Sequence, residues 1–275
     1  MPSERDTGIG WMHGRCRGTP PGTRGPKVNG MGLRILITGA RRGIGAAMAV
    51  GLARPGNTLL LHHLAAAAEC DKVASLCRDL GAAAEMLDAD LADPGAVREL
   101  AERAGPVDVL INNAAKASNV DIGVLPLAEW QQTLAVNLTA PMLLSQALSV
   151  GMAERGWGRI VNVVSPTVRM GGPSGPSYVA SKAALIGLTR SLARALGPAG
   201  ITVNALSPGA IRTEGEAELA AGKDAETHAP LVATQAVPRA LVPEDLVATV
   251  RLLVSDGSGA LTGQVIEVGG GLIFR

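Results

Sequence analysis

The chain has very little aromatic material. Its 275 residues include three Trp, one Phe and one Tyr, namely Trp11, Trp130, Trp157, Phe274 and Tyr178. Core packing therefore does not rely on aromatic rings, and a packing role explains Tyr178 less well than it would elsewhere. Charge of either sign is not in excess: the formal net charge is +1, which gives no general argument for nucleic acid or an anionic membrane as partner. Cysteine is scarce. Cys16, Cys70 and Cys77 are odd in number and lack zinc or redox spacing, so a reduced cytoplasmic setting is expected. No stretch has the length and uninterrupted apolarity of a membrane span, and the N-terminus has no apolar signal core, so a soluble protein is expected. Acids are absent in one place that matters below, the whole stretch from Arg42 to Ala68.

What the chain does have is aliphatic bulk, with 47% hydrophobic residues, enough for one large α/β domain or two small ones. Residues 1–30 stand apart: they are rich in Gly, Pro and Arg and have no hydrophobic period. Such a stretch buries too little surface to offset its ordering entropy, and it reads as a disordered or non-native extension or a misplaced start. A basic arm is the alternative. From Met31 onward short apolar runs alternate with helical patterns. Strands are predicted at 33–38, 58–62, 84–87, 107–111, 159–164, 201–206 and 264–268. Helices are predicted near 43–54, 66–80, 94–104, 127–154, 176–196 and 243–254. This alternation predicts a single Rossmann-type, doubly wound parallel sheet of about seven strands in an α/β domain over 31–275, with helices on both faces. The segment 210–240 lacks a period and is long for a connection, which suggests a lid over a ligand crevice.

Four motifs fall at predicted strand ends, where such sheets bind ligands. The first is Thr38-Gly39-Ala40-Arg41-Arg42-Gly43-Ile44-Gly45. Its glycines allow a sharp turn and close approach to a pyrophosphate, and the helix that follows offers free N–H groups. The spacing is Gly-x-x-x-Gly-x-Gly, so a Gly-rich turn without a ligand stays open. The second is the acid-free stretch after it. An acid about twenty residues on would bind the NAD ribose, whereas here the second strand ends in Leu61-His62-His63-Leu64. With Arg41 and Arg42 in the loop, NADP(H) is favoured over NAD(H), Arg42 being the stronger phosphate ligand. His62 and His63 are candidates for the adenosine end. They point to opposite faces of a strand, so no metal site is expected. The third is Asn112-Asn113-Ala114-Ala115, which reads as a site for close approach of a planar ligand or as a simple strand-end turn. Asp90-Leu91 reads as an adenine contact, or Asp90 as the cap of a helix near Pro94. The fourth is Ser165 at a strand end, thirteen residues before Tyr178, with Lys182 one helical turn beyond Tyr178 on the same face.

Together these motifs, with Asn137 in Val136-Asn137-Leu138 and Pro208-Gly209, resemble the classical short-chain dehydrogenase/reductase family. The likeness is closest to its 3-oxoacyl-carrier-protein reductase branch, with some flavour of pteridine reductases. The resemblance covers Met31–Arg275 and follows the family's motif order. It implies four catalytic residues: Ser165 as donor to the substrate oxygen, Tyr178 as general acid/base, Lys182 on the phenol and the nicotinamide ribose, and Asn137 holding a relay water. Cofactor contacts are expected from Gly39, Arg41, Arg42, Gly43, Ile44, Gly45, His62, His63, Asp90, Leu91, Asn113, Ala114, Ala115, Tyr178, Lys182, Pro208, Gly209, Ile211 and Thr213. Two departures stand out: Ala115 replaces the family's usual Gly, and the N-terminal extension has no family counterpart. Physically, an ammonium at about 5 Å with an effective dielectric near 20 favours the phenolate by about 3 kcal/mol, and desolvation opposes it. The substrate would be a ketone or oxoacyl carbonyl, because the lid (Glu214, Glu216, Glu218, Lys223, His228) has no ring to stack on a flat molecule. Pterin reductases of the related branch also carry Asp where this chain has Ser165. A homotetramer through 127–154 and 176–196, or a dimer, is implied by the family. Rival readings are a cofactor-binding sensor or scaffold without chemistry, and a purely structural α/β module.

Overall fold

The computed structural model describes residues 32–211, 213 and 230–274. The extension at 1–30 and the charged lid residues from Glu214 to His228 lie outside them.

Seven parallel strands form one sheet. They are β1 (Arg34–Ile37), β2 (Thr58–His63), β3 (Ala83–Asp88), β4 (Val109–Asn112), β5 (Gly158–Val163), β6 (Ile201–Pro208) and β7 (Val265–Val268), in the order β3-β2-β1-β4-β5-β6-β7. The connecting helices are α1 (Gly43–Leu52), α2 (Ala67–Asp79), α3 (Pro94–Ala104), α4 (Leu127–Leu134), α5 (Ala140–Glu154), the short α6 (Thr167–Met170), α7 (Pro176–Leu196) and α8 (Val247–Leu253). The order reverses between β1 and β4, which pair in register at Leu36 and Leu110, and that switch point opens a crevice at the strands' carboxyl ends.

Residue alternation along the strands sorts the helices. Ile35, Ile37, Leu59, Leu61, Val109 and Ile111 face one core with α1, α2 and α8. Their neighbours Leu36, Leu60 and Leu110 face the other, where Val97 and Leu100 of α3 and Leu144, Leu148 and Met152 of α5 pack. Strands buried on both faces need such continuous apolar runs, which is why β1 and β4 consist mostly of Leu, Ile and Val. β3 is one of the two edge strands, and its run AAEMLD is largely exposed.

The predicted long helix over 127–154 exists but is not uniform. Ala135–Thr139 form a π turn between α4 and α5. By length and composition alone this 28-residue stretch, with a mean hydropathy of 1.3 in its best window, would suffice to cross a membrane, contrary to the expectation from sequence. Its apolar residues Ala140, Leu144, Leu148 and Met152 instead pack in the core. Leu144 and Leu185, one in each of the two helical ranges implied for a subunit interface, are likewise buried against their own chain.

Candidate active site

The Gly-rich loop leaves β1 and enters α1, and its shape is held from both sides. Gly39 and Gly43 adopt positive φ of 65° and 54°, where glycine is favoured. A Cβ on Gly39 would meet Ala114 Cα at 2.9 Å, and one on Gly45 would lie 2.2 Å from the Gly39 carbonyl oxygen and 2.7 Å from Asn113 Nδ2. From β4, Asn113 Nδ2 donates to the carbonyls of Thr38 (2.9 Å) and Gly39 (3.1 Å). In return Thr38 Oγ1 accepts from the backbone N–H groups of Asn113 (2.9 Å) and Ala114 (3.0 Å). From β2, His62 Nδ1 accepts from Gly39 N–H (3.0 Å) while Nε2 sits 3.1 Å from the Ala89 carbonyl. Thr38, the first residue of the Gly-rich motif, holds that motif to the β4 end. Its two-residue fork explains why the loop and the β4 end act as one piece.

A groove of about 480 Å³ runs over this loop. It gathers Gly39, Arg41, Arg42, Gly43, Ile44, Gly45, His62, Asp90, Leu91, Asn113, Ala114, Ala115 and Thr213 of the predicted cofactor contacts. Lys116, Gln132 and Val136 also line it and were missed. Their signal was available, since Gln132 and Val136 are spaced i, i+4 and precede Asn137 on its helix. His63 does not line this groove. Its Nδ1 lies 3.2 Å from Asp88 Oδ1 and accepts from Ala66 N–H (3.3 Å), so the two histidines part company as strand geometry requires. Arg41 pairs with Glu69 Oε2 at 2.7 Å. Asp90 makes a local turn by accepting from Ala92 N–H (2.8 Å), and the cap of α3 is Asp93, which accepts from Gly95 N–H (2.8 Å). The shape suits a dinucleotide phosphate: bare backbone at two glycines, the start of a ten-residue helix, and two guanidinium groups.

At the other end of the crevice lie the four residues of the expected chemistry. Ser165 follows β5. Its Oγ is 2.9 Å from Thr167 Oγ1 and accepts from Thr167 N–H (3.3 Å). Tyr178 opens α7 and is half-buried. Lys182, one turn on, is 1% exposed. Its Nζ donates to the Val163 carbonyl at 2.7 Å and lies 5.7 Å from the centre of the Tyr178 ring. That bond ties α7 to the end of β5, two residues before Ser165. Burial pushes the Lys182 ammonium down to about 8. Asn137 is fully buried in the π turn. Its Oδ1 accepts from Lys116 N–H (2.7 Å), and its Nδ2 donates to the Lys116 carbonyl (3.0 Å) and to Ser181 Oγ (3.0 Å). Ser181 Oγ in turn donates to the Tyr178 carbonyl at 2.7 Å. Asn137 is thereby linked to Tyr178 through one hydroxyl.

Pro208 and Gly209 end β6. Gly209 approaches the C-terminal Gly269 so closely that a Cβ would meet its Cα at 2.4 Å. Ile211 bridges in parallel to Leu241. A smaller cavity of about 230 Å³ lies behind this point, walled by Pro166, Gly209, Glu267 and the run from Gly269 to Ile273. Among the described residues no cluster of His, Cys, Asp or Glu is arranged to hold a metal.

The family described as enoyl-(acyl carrier protein) reductase matches residues 39–273. A Rhizobium meliloti (strain 1021) protein named "Probable galactose dehydrogenase GalD" is 37% identical over 92% of this chain and 99% of its own length. A 3-oxoacyl-[acyl-carrier-protein] reductase of Synechocystis sp. (strain ATCC 27184 / PCC 6803 / Kazusa) is 33% identical, covering 87% of this chain and 96% of its own. Among solved structures, a 3-oxoacyl (acyl-carrier-protein) reductase from Agrobacterium tumefaciens C58 with NADP bound has a TM-score of 0.81 and 34% identity, over 87% and 95% of the two chains. With the sheet order and groove described above, these matches establish the chain as a member of the short-chain dehydrogenase/reductase family, an NAD(P)-dependent oxidoreductase.

Proposed function

We propose that the protein reversibly reduces a ketone or oxoacyl carbonyl to a secondary alcohol with NADP(H), Tyr178 acting as the general acid/base. The observation that carries this reading is the buried Lys182 ammonium 5.7 Å from the Tyr178 ring, at the strand ends beside a groove fitted for a dinucleotide. NADP, when bound, supplies or accepts the hydride. Tyr178 gives its hydroxyl proton to the nascent alkoxide in reduction and takes it back in oxidation. Ser165 Oγ donates to the same oxygen, where negative charge develops. Lys182 holds the phenolate's charge and donates to a ribose hydroxyl. Because the Asn137 amide is already engaged by Lys116 and Ser181, its relay water falls to the main chain of the π turn.

The 2′-phosphate of NADP would be met by Arg42 and Arg41, at a strand end that carries His62 and His63 in place of a carboxylate. The NADP in the Agrobacterium tumefaciens reductase supports that choice. Ser165–Ser174 and the 210–240 segment would wall the substrate pocket. All four catalytic residues are present, which disfavours a sensor or scaffold that has lost its chemistry. A cytoplasmic homotetramer is the proposed working state, with Met142 and Val150 on the exposed side of α5 as apolar interface candidates. The test is NADPH and NADH turnover across ketones, oxoacyl thioesters, sugars and quinones, with wild type and Tyr178→Phe. Loss of turnover in the Phe variant by about two to four orders of magnitude is expected. Full activity in that variant would overturn the mechanism.

A further inference from the structure

We propose that His62 is a positioning residue for the cofactor groove, acting on NADP through the backbone of Gly39 and Ala89 rather than as a ligand of its phosphate. The ring is 3% exposed, and both nitrogens are engaged inside the protein. Nδ1 accepts from Gly39 N–H at 3.0 Å, which leaves Nε2 to carry the proton and donate to the Ala89 carbonyl at 3.1 Å. The His62 carbonyl also accepts from Ala40 N–H at 2.9 Å. Gly39 is thus gripped at its N–H from β2 by His62 and at its carbonyl from β4 by Asn113. A residue at φ of +65° needs such opposed contacts to keep one conformation. Through Ala89 the same ring reaches the residue just before Asp90 and Leu91, which line the adenosine side of the groove. One imidazole therefore sets the spacing between the phosphate loop and the adenine wall. Both contacts go to parts of the site that NAD and NADP share, so the effect of His62 is blind to the 2′-phosphate.

The proposal rests on the assignment of the groove to a nicotinamide dinucleotide. Its test is the dissociation constant of NADPH and of NADH, read from nucleotide fluorescence, in the wild type and in His62→Leu, His62→Asn and His62→Gln, with melting temperatures recorded alongside. His62→Leu should weaken both nucleotides by the same factor, about ten- to thirtyfold for two lost hydrogen bonds. KM for the nucleotide should rise with it while kcat changes less. His62→Asn, which keeps an acceptor near the Nδ1 position, should recover most of the affinity; His62→Gln, whose longer amide reaches toward Ala89, should recover less. If His62→Leu does not fold, the Asn and Gln variants carry the comparison, and wild-type affinity in both would overturn the proposal. Wild-type affinity in His62→Leu would overturn it as well. A loss confined to NADPH would overturn it in favour of a phosphate ligand. A wild type that binds neither nucleotide would overturn instead the groove assignment beneath it.

Discussion

Replacing Lys182 with Met should move the ionisation of Tyr178, and this chain allows that to be read directly. Lys182 Nζ lies 5.7 Å from the centre of the Tyr178 ring; charges at about 5 Å in an effective dielectric near 20 interact by about 3 kcal/mol. Removing the ammonium should therefore raise the phenol's titration midpoint by up to about two pH units, the full shift applying only while Lys182 stays charged. Tyr178 is the one tyrosine in the sequence, so the ultraviolet absorbance change on raising pH reports this residue alone. The wild-type curve should also have a particular shape. Burial holds the Lys182 ammonium at about 8, so above that pH the positive charge fades while the phenol is still titrating. A phenolate raises the lysine as much as the ammonium lowers the phenol, and the pair sheds its first proton as a unit. The wild-type curve should be broader than a single-site curve, and the Lys182→Met curve should be sharp and displaced upward. Coincident curves would refute the electrostatic role assigned to Lys182.

Further outcomes follow from the groove. Gly45→Ala would place a Cβ 2.2 Å from the Gly39 carbonyl oxygen, so stabilisation of the protein by NADPH in a thermal melt should be lost; an unchanged ligand-induced shift would contradict the close approach. Glu69→Gln should release Arg41 from its 2.7 Å ion pair and increase the NADPH-over-NADH preference several-fold. Both partners of that pair are substantially exposed, so stability should change by less than about 0.5 kcal/mol, and a fall in NADPH preference would count against Arg41 as a phosphate contact. Acid should probe His62. Burial, with help from the nearby His63 and Arg103 and against the Ala89 and Asp88 contacts, lowers it from 6.5 to about 4 in the folded protein. Its contribution is fully present above pH 6.5 and is lost as pH falls through 4, amounting to about 3 kcal/mol. Denaturant unfolding between pH 7 and 4 should show a flatter stability profile in His62→Asn, and parallel profiles would refute the assignment.

Much of the architecture was legible because parallel strands covered on both faces must be runs of aliphatic residues, and β1, β4 and the Leu59–Leu61 part of β2 are such runs. The proposed catalytic pair stood out for a different reason: i, i+4 spacing on a helix is a local property, and the sequence has only four other aromatic residues. The π turn at Ala135–Thr139 was not legible. An inserted residue in a helix leaves the apolar pattern almost intact on either side, and nothing in Val136-Asn137-Leu138 marks it. The parts played by Thr38, Ser181 and the ring nitrogens of His62 were also hidden, since each depends on which strand lies beside which. The predicted helix over 243–254 begins as a tighter turn at Pro243–Leu246, as a proline at its first position permits.

The π turn has a consequence for how this chain tolerates change. One extra residue advances everything beyond it by about 100° around the helix axis. The face of α4 that carries Gln132 and the face of α5 that carries Leu144 and Leu148 are therefore phased independently. Deleting a single residue between Leu134 and Ala140 would leave a regular helix of ordinary composition, yet it could keep only one of those two faces in register. If α5 kept its place in the core, Glu129, whose Oε2 lies 3.2 Å from Lys116 Nζ, and the groove-lining Gln132 would both swing away. The irregularity works as a gearing between the scaffold and the site, and the chain would lose its chemistry there before it lost its fold.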